Sequence, residues 1–380
     1  MEVHGALGGI WTSGLLAYIL DFNNKPGLMS EIVERATKQD GRAFTKSGNA
    51  TCTFDPEILK IVLEEMCAEA GVQVQFHTRV VAVAKNSAGR LTHGITESKS
   101  GREAIGGRIF VDCTGDGDVG ARAGCGFDWG HPETGATQPM SLIALVTGIQ
   151  AEEVEAFYRE EKGEWAKPKD ALRAEMTRGG QSPSYAKPSL FRLRDDLFIL
   201  MSNHEYEVKG IDVRDVTAAT LRARKELHAQ INGLRSLGGV WKHIRIVATP
   251  EQIGVREGRR LHGLYTVCAD DLREGRSQPD AVCKATFPVD VHSTNPKKEK
   301  GIESAGFQAK PYDIPLRSLI AKDVTGLMMA GRCISGDFLA HSSYRVTGNA
   351  AAMGEAAGAV AAIAAKTNRL PQDVSLKEIS

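Results

Sequence analysis

An α/β fold is the class this sequence predicts, and three observations predict it. Strand-like and helical patterns alternate through residues 28–124. Two buried strand-like runs, Arg108–Cys113 and Thr325–Ala330, lead directly into glycine turns. The same alternation resumes at Pro311 after a middle stretch of different character.

Taken in order, residues 5–20 are glycine-rich and apolar but too irregular for a helix. Residues 28–39 have helical spacing, with Leu28, Ile32 and Val33 on one side. Asp55 followed by Pro56 starts a second helix, since a carboxylate caps free N–H groups and proline suits a first turn. Leu59, Val62, Leu63 and Met66 form its apolar stripe, and Gly71 sits past its end. Val72–Phe76 alternates as a strand does, Arg79–Ala84 is an apolar strand, and 91–97 with 102–107 read as a hairpin. Arg108–Cys113 is a buried strand, then a glycine turn and a helical 119–124.

Beyond residue 137 the spacing predicts a strand over 138–148, a charged helix over 150–162 and exposed loop over 163–190. Two strands follow in 190–202, a long amphipathic helix in 213–237, and strands at 241–247 and 285–292. Residues 138–310 therefore read as an inserted α+β substrate or cap domain, between a first part (1–137) and a last part (311–380) of one domain. In the last part a buried strand enters Gly331, a polar loop runs to Tyr344, and a helix spans 347–366.

Lysine plus arginine and aspartate plus glutamate both total 47, so no net field favours nucleic acid or an acidic membrane surface. The start of the chain lacks an export signal, and the most apolar run, 356–365, is too short to span a bilayer. Seven cysteines without a C-x-x-C favour a reducing, cytoplasmic location and give no support to a metal or iron–sulfur site.

Three segments carry the chemistry. They are Glu2 with the glycines around Gly8 and Gly9; Asp112-Cys113-Thr114-Gly115-Asp116-Gly117-Asp118; and Ala330-Gly331-Arg332-Cys333 with Ser343-Tyr344-Arg345-Val346 and the glycines of the last helix. Ile253–Arg260, Phe287–His292 and Pro311–Leu316 accompany them. In this order the motifs resemble the FAD-dependent oxidoreductases of the glutathione-reductase-like fold, a Rossmann-type FAD-binding domain. The closest group includes the flavin subunit of heterodisulfide reductase, and the resemblance covers essentially the whole chain.

The resemblance implies bound FAD. In that family a G-x-G-x-x-G turn precedes an acidic residue by about 20 positions. Here the acid is Glu2, so the FAD-binding domain is expected to be incomplete at its N-terminus. A gene fragment or a late start codon is the expected cause, with weak flavin binding and poor solubility for this chain.

The resemblance also distributes roles. Glu2 would accept the ribose hydroxyls, Gly8 and Gly9 would let backbone pass close to the cofactor, and Val80 and Val81 would lay backbone against adenine. Thr114, Gly115 and Asp116 lie at the carboxyl end of a strand, where open α/β sheets bind ligands. Gly331 and Arg332 would approach the pyrophosphate or ribityl chain. Arg345, Val346 and Gly348 lead into a helix whose N-terminus would face the flavin N1–C2=O edge.

Four residues are candidates for catalysis and substrate contact. His292 is the first candidate base, with Asp290 on the same face of a strand to orient it. His341 is second, and Arg256 is a candidate anchor for an anionic or polar substrate, against an ion pair with Glu257 or a surface carboxylate. The expected activity is oxidation or reduction of a small organic substrate by hydride transfer to or from flavin N5, in a protein that could form oligomers. The alternatives are an electron-transfer subunit of a redox complex and a non-catalytic nucleotide-binding protein or inactive fragment.

Overall fold

The computed structural model describes residues 1–158, 165–295 and 301–379. Its mixed α/β architecture is built on three apolar cores.

The first core surrounds a parallel pair of strands, Phe110–Asp112 and Leu327–Met329, in register Phe110 to Leu327. Leu327, Met328 and Met329 are all buried, as expected of a parallel strand covered on both faces. The helix Thr347–Thr367 packs on this pair and ends at Asn368, whose left-handed φ of 55° is a conformation asparagine tolerates at a helix end. A three-stranded antiparallel sheet, Arg79–Lys85, Leu91–Ser98 and Gly101–Gly106, flanks the core.

The second core lies under a four-stranded antiparallel sheet, ordered Arg245–Ala248, Ile143–Thr147, Leu197–Met201, Ser189–Arg192. Side chains alternate across it. Ala144, Val146, Phe198 and Leu200 face the helix Val213–Ser236, while Ile143 and Ile199 join the third core on the other side. Helix Val213–Ser236 buries Ala219, Ala223, Leu227, Ile231 and Leu234, close to one residue per turn.

The third core gathers Trp11 to Phe22 with helices Leu28–Lys38 and Pro56–Glu69. Asp55 caps the latter by accepting from the Glu57 N–H at 2.9 Å. The buried face of the former is Met29, Ile32 and Ala36, with Leu28 left exposed.

Several expectations change. Val72–Phe76 forms no regular strand: Val72 and Val74 are exposed, and pairing is limited to bonds such as Glu2 N–H to the Gln75 carbonyl at 2.8 Å. The charged helix over 150–162 is replaced, within the described residues, by the single turn Glu155–Phe157; residues 159–162 lie outside them. The stretch 163–190 is not all loop. It holds the helix Lys167–Arg178, with Pro168 in its first turn and Leu172 and Met176 buried four apart. Those two residues are the whole apolar stripe, and the surrounding charges obscure it.

The strand expected over 285–292 is two pieces. Ala281–Ala285 pairs with Tyr312–Pro315, and Val291–His292 pairs with Ile302–Glu303; Pro288 lies between them and cannot donate to a ladder. The polar loop before Tyr344 contains a helix, Phe338–Tyr344, capped by Asp337, which accepts from the Ala340 N–H. Residues 261–285, expected with the insertion, pack in the first core through Leu261, Val267, Leu272, Cys283 and Ala285.

Candidate functional site

The glycine turn after strand Phe110–Asp112 is organised by a carboxylate that the sequence places inside the strand. Buried Asp112 accepts from the Thr114 N–H at 3.0 Å, the Thr114 hydroxyl at 2.7 Å and the Gly120 N–H at 2.9 Å. The Thr114 oxygen in turn accepts from the Asp118 N–H. Gly115 has a φ of 77°, and a Cβ there would lie 2.7 Å from the Arg332 guanidinium. Arg332 pairs with Asp116 at 2.8 Å, and Arg259 donates to the Asp116 carbonyl and the Asp118 carboxylate. Three glycine-bearing segments far apart in sequence thus meet around one turn, through Gly115, Gly258 and Gly331-Arg332.

Arg260 is buried and fully engaged. It pairs with Glu257 at 2.6 Å and donates to the carbonyls of Gly130 and Gly336. Glu257 is therefore the partner of Arg260 and not of Arg256. Its other oxygen accepts from the Gln138 N–H. Gln138 is a hub: its side chain donates to Ser342 and accepts from the His292 N–H at 3.0 Å.

Beside this lies a cavity of about 570 Å³. Tyr18, Phe157, Tyr158, Trp165, Tyr185 and Phe191 give it an aromatic wall, and Arg256, Asp290, His292 and Arg345 a polar one, with Val346 beside them. Asp290 contacts His292 Nε2 at 3.3 Å, and Arg345 reaches both the Asp290 carbonyl at 2.9 Å and its carboxylate at 3.4 Å. His292 Nδ1 lies 3.1 Å from His204 Nε2, and His204 Nδ1 lies 3.0 Å from the Tyr206 hydroxyl. Tyr185 stacks on His204, with ring centres 4.2 Å apart.

Arg256 has no carboxylate within ion-pair distance among the described residues. It donates only to the Pro139 carbonyl, the Ser141 hydroxyl and, weakly, the Met201 sulfur. Burial, with Arg345 nearby, lowers its pKa to about 10. His292 falls to about 4 because of burial and the Arg256 charge. Burial would raise the Asp290 carboxyl, but His292, Arg345 and Arg256 outweigh it and hold it below the usual range. At neutral pH the site therefore holds an ionised Asp290 and a neutral His292.

His341 is fully buried, and among the described residues neither ring nitrogen has a hydrogen-bond partner. Burial lowers its pKa well below the usual value, and Arg260, Arg345 and Arg332 add to the effect. Arg332 Nε, Arg345 Nε and Asn349 Nδ2 are likewise buried without partners.

The remaining candidates lie elsewhere. Glu2 accepts from the His4 N–H and lies within electrostatic reach of Cys113, at the end of the parallel pair. Gly8 and Gly9 have φ of 99° and 53° and open a single helical turn. Val80 and Val81 lie on strand Arg79–Lys85, where the Val81 carbonyl accepts from Arg122. Val346 is the N-cap of the last helix; the Gly348 N–H is already donated to the Leu20 carbonyl, and Trp11 donates to the Thr347 hydroxyl. Those two contacts cover part of the helix start that was expected to face a flavin.

The family model described as FAD dependent oxidoreductase matches residues 1–380. The chain belongs to that family. No curated protein matches it. Among solved structures it is similar to a p-nitrophenol 4-monooxygenase from Pseudomonas putida, at 10% identity and a TM-score of 0.33, covering 58% of this chain and 47% of that one. It is also similar to a geranylgeranyl bacteriochlorophyll reductase-like protein from Thermoplasma acidophilum, at 10% identity and a TM-score of 0.40, covering 89% and 64%. A flavin-dependent brominase gives 11% identity, a TM-score of 0.41 and coverages of 88% and 68%. The chain thus spans about half to two thirds of the length of these structures.

FAD is the cofactor of this family, and the residues present fit it. A buried polar atom without a partner is costly, and four side chains in or beside the glycine-turn and Arg345 segments carry such atoms. Guanidinium, imidazole and amide groups left open in this way match a ligand with many acceptor oxygens and nitrogens. Among the described residues no group of three or more His, Cys, Asp or Glu side chains could hold a metal ion, and no helix is long and apolar enough to cross a membrane.

Proposed function

We propose that this member of the FAD dependent oxidoreductase family oxidises or reduces a small anionic substrate by hydride transfer to or from flavin N5. The observation that carries this reading is Arg256, a buried guanidinium without a carboxylate partner on the wall of an aromatic-lined cavity. Its unmatched charge favours an anionic group such as a carboxylate, and the rings around it favour an apolar or aromatic body.

Thr114, Gly115, Asp116, Gly331 and Arg332 would hold the pyrophosphate side of FAD, and His341, Arg345, Val346 and Gly348 the flavin side. Glu2, Gly8, Gly9, Val80 and Val81 are assigned to the adenosine half. Bound flavin supplies the hydride chemistry. The protein's part is to bind the substrate anion at Arg256, to exclude water with the aromatic wall, and to manage the accompanying proton at Asp290 and His292.

We place the fold in the glutathione-reductase-like class, nearest the heterodisulfide reductase flavin-subunit group, with residues 138–310 as the substrate or cap region. Seven free cysteines support a cytoplasmic location.

Titration with FAD, followed by its visible bands, tests the cofactor assignment. Wild-type protein should take up FAD saturably, and a folded Gly115→Val protein should take up none. A folded wild-type protein that takes up no FAD overturns the reading.

A further inference from the structure

The two buried histidines beside the cavity form part of a longer chain, Asp290–His292–His204–Tyr206, and its direction can be worked out. An ionised carboxylate can only accept, so His292 must carry its proton on Nε2, facing Asp290 at 3.3 Å. His292 Nδ1 is then an acceptor. The nitrogen facing it at 3.1 Å, His204 Nε2, must donate. His204 Nδ1 is left as an acceptor, and the Tyr206 hydroxyl, 3.0 Å away, donates to it. Every donor in the chain points toward Asp290.

The two ends differ in surroundings. Asp290 lines the cavity, whereas Tyr206 is half-buried on the segment that follows strand Leu197–Met201. Between them His204 is buried beneath the Tyr185 ring, and His292 is buried at the cavity wall. We propose that Tyr206, His204 and His292 are a proton relay between solvent and the cavity, set to deliver a proton inward to Asp290. This rests on the functional reading above and extends it to the source of the proton.

The step balances in the direction of substrate reduction. Tyr206 O–H passes its proton to His204 Nδ1, and His204 Nε2–H passes its own to His292 Nδ1. His292 Nε2–H then protonates Asp290, which hands the proton to the substrate atom made basic by hydride addition. Tyr206, left as tyrosinate, regains a proton from solvent, and each imidazole, now protonated on Nδ1, turns over to present an Nε2–H arrangement for the next transfer. The charged groups around the relay suit passage over storage. Burial and the Arg256 charge oppose a lasting positive charge on either ring, and at His292 Arg345 adds to this while Asp290 works against it without prevailing. Glu226 is the carboxylate whose charge acts on Tyr206.

The test is nitrogen-15 NMR of the full chain with labelled histidine, supplied with FAD at neutral pH. His204→Gln and His292→Gln samples assign the two rings. Both rings should be neutral and protonated on Nε2, with both Nδ1 atoms accepting hydrogen bonds. In Tyr206→Phe, with an unchanged melting temperature, the His204 Nδ1 signal should move toward that of a free acceptor. Exchange of the His292 Nε2 proton with solvent should slow several-fold.

A His204 ring protonated on Nδ1, a charged His292, or unchanged exchange in Tyr206→Phe would overturn the relay. The flavin absorbance of the same samples separates the two readings. Bound flavin with the wrong tautomers sinks the relay alone. The expected tautomers in protein that takes up no flavin support the wiring and sink the flavin reading.

Discussion

The glycine turn around Asp112 and the cavity around Arg256 are both built from buried charge, yet they handle it in opposite ways. At the turn each carboxylate is matched: Asp112 accepts three bonds, Asp116 meets Arg332, and Arg259 spans Asp116 and Asp118, with the Arg332 Nε alone left open among the described residues there. In the cavity Arg256 has no carboxylate partner among the described residues. A saturated network fixes a backbone shape. An unsaturated one holds free energy in reserve for a ligand, since an unmatched buried charge is costly until an anion meets it.

The contrast is sharpest at Arg256. Arg256→Met should raise KM for an anionic substrate by two to three orders of magnitude, about 3–4 kcal/mol for a buried charge-assisted contact. The same change should raise the melting temperature of the protein without substrate, because it removes an unpaired buried charge. At the turn the sign reverses. Asp112→Ala strands the Thr114 and Gly120 N–H groups and should lower stability by about 3 kcal/mol, read from the denaturant midpoint, with loss of FAD retention.

Gly115→Ala adds a Cβ where φ is 77° and Arg332 is in the way, so it should cost roughly 1–3 kcal/mol and weaken FAD binding. Asp55→Ala, far from both regions, removes a helix cap; it should cost about 1 kcal/mol and leave FAD binding alone.

The buried histidines give the cavity a pH signature opposite in sign to that of the turn, where burial raises the Asp116 carboxyl. His292 has a folded-state pKa of about 4, below its ordinary value of about 6.5, so the unfolded chain binds the extra proton first. Its contribution is fully present above about pH 6.5 and is lost as pH falls toward 4, at up to roughly 1.4 kcal/mol per pH unit per proton. His204 and His341 are shifted in the same direction. Urea midpoints measured from pH 7 down to 4.5 should fall, and His341→Leu should flatten the slope.

Much of this was legible in the sequence where the signal is local. The Asp55-Pro56 start, the apolar run into Gly331 and the long stripes of the helices Val213–Ser236 and Thr347–Thr367 needed only neighbours a few residues away. Helix Lys167–Arg178 was obscured because only Leu172 and Met176 mark its buried face. The Asp290–His292 contact was legible from their spacing, although the strand that should carry them is only two residues long.

His204, Tyr206 and Gln138 were missed for a different reason. The partners of His204 and Gln138 lie across the fold, 88 residues away for the histidine pair, and no local period encodes those contacts; Tyr206 gains its place only through His204, two residues before it. The one available sign was the abrupt polar run from Ser202 to Tyr206 closing the apolar strand Leu197–Met201. The pairing of Glu257 with Arg260, three residues on, in place of its neighbour Arg256 is a local choice that spacing alone leaves open, and it is what leaves Arg256 free of a carboxylate.

The central claim is that Arg256 holds an anion beside the flavin. Its most direct test is the visible spectrum of the FAD-loaded protein titrated with benzoate and phenylacetate. The account predicts a saturable shift of the flavin bands with at least one of them, lost in Arg256→Met protein that still holds FAD. A shift that persists unchanged in Arg256→Met, or a spectrum that neither anion moves in the wild type, would contradict it.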